Sequence, residues 1–236
     1  WTATDLNITD SGGTGVDAAG AAGSWGIDDT VIHNTSATGI AAADSSGNWT
    51  LENVSLTNAT GYGINASGTT DSWTIQSSTI TNVTQSDPVV LPADGTGIYA
   101  ADTTTDWSVT ESIITDTAAD GLNATTAQVA GNATRNYWGA TDGPAGAYAG
   151  SGVPVVGNVT ATPYYTSANL SNLSSPLSSN DTTTLDGTNT TVGFELQNDR
   201  AENKSYILNL TVPSGWNAVS YTDDGGDRQS GEAKWL

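Results

Sequence analysis

The sequence predicts an all-β chain wound into stacked coils, a parallel β-helix. Three observations predict it. Gly, Thr, Ser, Asn and Ala dominate while Lys, Glu, Gln and Leu are scarce, which favours short strands and frequent turns over helices. Trp recurs at positions 1, 25, 49, 73 and 107, with gaps of 24, 24, 24 and 34. Within each copy the apolar positions come in pairs two residues apart, as in strands with one buried face. A fixed period of this kind marks a unit that buries its apolar face only by stacking on its neighbours.

Slots are counted from each Trp as slot zero. The first strand carries Trp at slot zero and Ala3, Ile27, Leu51, Ile75 or Val109 at slot two. The second carries Ile8, Ile32, Leu56, Ile80 or Ile114 at slot seven, paired with slot five. Slot nine holds Asp10, Asn34, Asn58, Asn82 and Asp116, short polar side chains suited to a turn. They are expected to form a buried ladder. Gly15, Gly39, Gly63, Gly97 and Gly121 follow, where a bend with unusual φ is expected. The third strand pairs Val16, Ile40, Ile64, Ile98 or Leu122 with an Ala two residues on. Coils of this kind hydrogen-bond to one another at ~4.8 Å, so equivalent side chains stack in rows. The fourth copy carries an insertion within Gln85–Thr96 whose centre, Val89, Val90 and Leu91, is apolar and is either a contact for another protein or a fold-back over its own coil. Trp138 falls at slot seven of a sixth coil, where its ring would plug the core end.

Beyond the coils, residues 166–191 read as a Ser/Thr/Asn-rich linker. Alternation resumes at Val192–Leu196, Tyr206–Val212 and Ala218–Tyr221. The expected domains are therefore a parallel β-helix over 1–165, a linker over 166–191 and a partial β-sandwich over 192–236. A sandwich needs ~7 strands, and this segment supplies about four. The chain is accordingly expected to be a piece of a longer secreted protein.

Charge and composition exclude several functions. Asp and Glu number 25 against 5 Lys and Arg, a formal net charge of -20. So negative a chain repels phosphate, which argues against nucleic-acid binding and anionic membranes. No run of ~20 apolar residues spans a bilayer. With no Cys or Met and a single His, disulfides, thiolate sites and most transition-metal sites are excluded.

The repeat resembles the right-handed parallel β-helix family with the pectate-lyase-like fold, over residues 1 to about 165. Asn136-Tyr137-Trp138-Gly139, then Asp142-Gly143-Pro144 and Pro163-Tyr164-Tyr165, resemble the segment that closes the helix in that family. The tail, with Pro213-Ser214-Gly215-Trp216, is similar to immunoglobulin-like modules of secreted archaeal and bacterial proteins. The acid excess resembles proteins of haloarchaea, whose carboxylates hold a hydrated surface in molar salt. The resemblance to the β-helix family implies either a structural chain or a lyase or glycosidase. Lyases of the family use a basic residue beside bound calcium, and the coils offer only Arg135, expected instead to pair with acids. Copper-processing relatives need Met and His that are scarce here.

Candidate sites follow. The sequon Asn-x-Ser/Thr occurs 16 times. Asn53, Asn65, Asn123, Asn132, Asn169, Asn172, Asn180 and Asn189 are expected to be accessible glycosylation sites. Asn34, Asn58 and Asn82 are expected to be buried in the slot-nine row and unmodifiable. Trp1, Trp25, Trp49, Trp73 and Trp107 are expected to point inward as a core stack; pointing outward, they would be a saccharide platform. His33, in slot eight, is expected to face out. Asp28-Asp29 and the pair Asp102 and Asp106 are expected to be solvated surface acids. No catalytic set and no cofactor is expected beyond a structural Ca2+ or Mg2+. The expected role is an extracellular, cell-surface structural protein of a halophilic archaeon. Its expected partners are itself, other surface proteins or glycans. The alternatives are an enzyme or a carbohydrate-binding or viral receptor-binding spike on the same fold.

Overall fold

A computed structural model of the chain describes residues 1–86, 94–168, 173–174 and 197–198. Every regular element among them is a strand, and none is a helix long and apolar enough to cross a membrane. The chain divides into two compact units, Trp1–Leu170 and Ser171–Leu236.

The first unit is a three-sheet parallel β-helix. Each of the five Trp-led coils contributes one strand to each sheet. The first sheet stacks Thr2–Thr4, Trp25–Asp28, Trp49–Glu52, Trp73–Gln76, Trp107–Thr110, Gly131–Asn132 and Val159–Thr160. The second stacks Asn7–Ser11, Val31–Thr35, Ser55–Thr60, Thr79–Thr84 and Ile113–Thr117. The third runs from Val16–Asp17 through Ile40–Ala41, Ile64–Asn65, Ile98–Tyr99 and Leu122–Ala124 to Gly152–Gly157 and Pro144–Gly146. All pairings in these sheets are parallel, and those between the five Trp-led coils keep the register of the repeat: Trp25 meets Trp49, Trp49 meets Trp73 and Trp73 meets Trp107. The insertion leaves that register intact, since Ile98 still lies between Ile64 and Leu122.

The core is the column enclosed by the coils. Trp25, Trp49, Trp73 and Trp107 are buried, and neighbouring indoles stack with centroids 5.0, 4.9 and 4.9 Å apart. Trp1 extends the stack at 5.4 Å and is 60% exposed. The buried indole N–H groups have no hydrogen-bond partner among the described residues, a cost of ~1–3 kcal/mol each. Ring burial and stacking outweigh that cost, since truncating a buried Trp loses roughly 3–5 kcal/mol.

Three corners turn each coil, and their backbone is left-handed. Positive φ falls at Asp5, Asp29, Asn53, Ser77 and Glu111, again at Asp10, Asn34, Asn58, Asn82 and Asp116, and again at Gly20, Asp44, Gly68 and Asp102. Asp, Asn and Gly tolerate this region best. The glycines of slot fourteen, by contrast, do not have positive φ, which corrects the expected bend. They are required for space. A Cβ on Gly39 would lie 2.6 Å from Gly63 O, and one on Gly63 would lie 2.5 Å from Gly97 O and 2.8 Å from Ile80 Cγ2.

The sixth coil closes the column. Trp138 is fully buried. Asn136, also fully buried, donates to Val109 O and Ala133 O at 2.7 and 2.8 Å and accepts from Ser112 N at 2.9 Å. Tyr164 lies over Gly143, where any side chain would strike its ring. Tyr148 Oη donates to Val159 O at 2.7 Å.

In the second unit Leu173–Ser174 pairs antiparallel with Gln197–Asn198. The first of these strands falls within the expected linker over 166–191. The sandwich expected over 192–236 lies outside the described residues apart from 197–198.

Candidate functional site

The slot-nine corner bears the most regular polar array. Asn34 Nδ2 donates to Asp10 Oδ1 at 2.8 Å, Asn58 Nδ2 to Asn34 Oδ1 at 2.9 Å, and Asn82 Nδ2 to Asn58 Oδ1. The row has a direction, with amides passing donors down to the Asp10 carboxylate. At the far end Asp116 accepts from Thr81 Oγ1 at 3.1 Å and Thr115 Oγ1 at 2.9 Å.

This ladder is on the outside. Asn34 and Asn82 are exposed and Asn58 is half-buried, which corrects the expected burial. The reason is the left-handed residue itself. Slot seven points in, slots eight and nine both point out, and slot ten returns to the core as Thr35, Ala59 and Val83. One αL residue therefore shifts the alternation by one, as at a bulge. Together with Thr60 and Thr84 the ladder lines an open groove of about 370 Å³.

The other predicted residues sort as follows. Asn53 is half-buried and its Nδ2 donates to Asp28 Oδ1 at 3.4 Å. Asn65 is half-buried, and its Oδ1 accepts from Ser67 N at 3.1 Å and Ser67 Oγ at 2.8 Å. Asn132 is exposed, and its Oδ1 accepts from Thr134 N at 3.2 Å. Asn123, expected to be accessible, is only 9% exposed. It lies between Tyr99 and Val156 in the sheet register. Its Nδ2 donates to Asp120 at 2.7 Å. Burial raises the Asp120 pKa, and the Asn123 hydrogen bond partly offsets the rise. Asn169, Asn172, Asn180 and Asn189 lie outside the described residues.

Arg135 pairs with Glu111 at 3.5 Å, the Arg half-exposed and the Glu buried. Gln76 Nε2 also donates to Glu111, at 3.4 Å. His33 is half-buried, with Nδ1 2.6 Å from Thr57 Oγ1. Asp29 and Asp102 are exposed corner residues. Asp142 accepts from Ser151 N at 3.0 Å and Ser151 Oγ at 2.8 Å, and these bonds hold its pKa below the ordinary carboxylate range. At the root of the insertion Asp94 is buried and accepts from Ser86 N at 2.8 Å and from Ser86 Oγ. The apolar centre of the insertion, Val89 to Leu91, lies outside the described residues. No group of three or more His, Cys, Asp or Glu among the described residues is placed to hold a metal ion.

The sequence pointed to the Asn/Asp row and to the Trp stack. It did not point to the first corner, because Asp5, Asp29, Asn53, Ser77 and Glu111 share a backbone angle rather than a residue type.

Comparison with known proteins agrees with the architecture. A family model described as right handed beta helix region matches residues 1–159. No curated protein and no solved structure matches the chain. The match covers well over half of the 236 residues, and its span coincides with the three parallel sheets. The chain belongs to the right-handed β-helix family.

Proposed function

We propose that the chain is an extracellular structural protein of a halophilic archaeon, a glycosylated subunit of a surface layer, filament or adhesive stalk. The observation that carries this reading is the use of the repeated positions. Indole stacks on indole, amide bonds to amide, and glycine admits the carbonyl of the next coil. The recurring side chains thus join coil to coil and make a stiff unit, which is what a surface assembly needs. The net charge of -20 supports an environment of high salt, where screening shortens the reach of repulsion to a few Å. Other copies or other surface proteins are the partners this reading requires. Ca2+ or Mg2+ bridging acidic faces would make the assembly sensitive to chelation.

Electron microscopy of the native protein in molar salt tests the reading. Ordered sheets or filaments are expected, and dispersed particles at all salt and divalent-ion concentrations would overturn it. EDTA separates the two modes of assembly: bridged material disperses and directly packed material persists.

A second reading rests on the groove beside the ladder. Its amides and hydroxyls recur once per coil, which suits an extended saccharide, either as a bound ligand or as the substrate of a lyase or hydrolase. The buried indoles do not contribute, because their faces are covered. Titration with soluble oligosaccharides distinguishes the readings. Saturable binding lost in Asn58→Ala would favour the groove.

A further inference from the structure

We propose that Asn65 carries an N-linked glycan whose first sugar rests on the Tyr62–Tyr99 pair, and that Asn123, in the same row, stays bare. The inference rests on the reading of an exported glycoprotein and names the site. Asn65-Ala66-Ser67 and Asn123-Ala124-Thr125 are both sequons at slot sixteen. Both fold into the same local turn. Ser67 N and Oγ donate to Asn65 Oδ1 at 3.1 and 2.8 Å, and Thr125 N and Oγ1 donate to Asn123 Oδ1 at 3.2 and 2.9 Å. Such bonds draw electron density onto the carbonyl oxygen and make an amide proton easier to remove. The turn spans only three residues, so it can form before the coils stack.

Neighbours separate the two sites. Asn123 is only 9% exposed, its Nδ2 is bonded to Asp120, and its register neighbours are Tyr99 and Val156. Asn65 Nδ2 donates no hydrogen bond to a described residue. Asn65 is half-buried and lies between Ala41 and Tyr99, with the small Ala41 in place of the Val156 that neighbours Asn123. Tyr99 stacks on Tyr62 with centroids 4.8 Å apart at 20°, and both rings are half-buried. Tyr62 precedes Asn65 by three residues in the same coil and Tyr99 is its register partner in the next, so the pair offers an aromatic surface beside Asn65 that suits the apolar C–H face of a sugar ring. Tyr99 is therefore the register neighbour of both sequon residues, a shelf for a sugar on Asn65 and the residue beside Asn123. The ladder residues are less suited, because Asn34, Asn58 and Asn82 already use Nδ2 in the row and stand too close together for adjacent glycans.

The chemistry is transfer from a glycosyl phosphate donor by a separate transferase. The bond formed joins Nδ2 to the anomeric carbon. The bond broken is the anomeric C–O bond, whose electron pair leaves with the phosphate, and one amide proton passes to a base of the transferase. The product keeps one N–H.

Glycopeptide mapping by mass spectrometry of the full chain from its native source tests the proposal. A glycan at Asn65 with Asn123 unmodified is expected. Asn65→Gln and Ser67→Ala should each remove one glycan mass, and Ser67→Thr should retain it. Non-additive changes in melting temperature between Asn65→Gln and Tyr99→Ala would support the shelf, and additive ones would remove it. Modification elsewhere with Asn65 bare, or modification of Asn123, overturns the site. A chain with no glycan at any sequon overturns the glycoprotein reading on which the site rests.

Discussion

Gly39 and Gly12 show how differently one residue type can be constrained. At Gly39 a Cβ would come within 2.6 Å of Gly63 O and closer still to Leu56 Cδ1, whereas nothing lies within 4 Å of a Cβ on Gly12. Neither glycine has positive φ, so space alone separates them. Gly39→Ala must push one coil from the next or displace Leu56 from the core, at a cost of about 1–3 kcal/mol. Gly12→Ala loses no contact and restricts the unfolded chain, which is neutral or stabilises by up to ~1 kcal/mol. Urea unfolding of both variants checks this, and equal midpoints would mean that coil spacing does not select the glycine. The sequence alone could not separate the two causes. A recurring glycine shows that a side chain is not tolerated, and only the approach of Gly63 O shows whether dihedral angle or distance is responsible.

At the scale of the strand and its corner, regular alternation ends at each left-handed residue. The pair at slots zero and two was legible because both residues lie within one strand, as in Trp25–Asp28, Trp49–Glu52, Trp73–Gln76 and Trp107–Thr110. Slot nine was not, because counting by twos through an αL residue assigns the wrong face. The residue type carried the missing signal, since Asn and Asp recur where αL is needed. Asn123 was illegible for another reason: its neighbours in the sheet, Tyr99 and Val156, come from other coils. Asn58 allows the ladder to be tested apart from the backbone. Asn58→Asp tolerates φ 58 but cannot donate to Asn34, and it places two acceptors face to face. A loss of about 1–2 kcal/mol is expected. Asn58→Ala also gives up the bond from Asn82 and strains the αL corner, adding roughly 1–2 kcal/mol. Thermal melts should rank the wild type above Asn58→Asp and that above Asn58→Ala. If Asn58→Asp matches the wild type, the ladder does not stabilise the coils.

For the whole molecule, charge and backbone geometry meet at the same corners. Asp29, Asp44 and Asp102 are exposed residues with φ of 46°, 57° and 57°. Asn would satisfy the same angles without charge, as it does at Asn53. The left-handed corners therefore explain a short polar residue at these positions but not an acidic one. On the proposed high-salt reading, the net charge of -20 answers to the solvent instead. At low ionic strength each carboxylate feels others over tens of Å, and the folded state concentrates them, so repulsion favours unfolding. In molar salt that reach falls to ~3 Å and the penalty disappears. The triple variant Asp29→Asn, Asp44→Asn and Asp102→Asn isolates this effect because its corners keep their geometry. Its melting temperature should exceed that of the wild type by roughly 2–4 °C at low salt, the shift ~1 kcal/mol gives a domain of this size. The two curves should converge as salt rises, because the difference is electrostatic and nothing else has changed. Parallel curves offset at every salt concentration would show that the acids act through local contacts, and the high-salt reading would lose its physical basis.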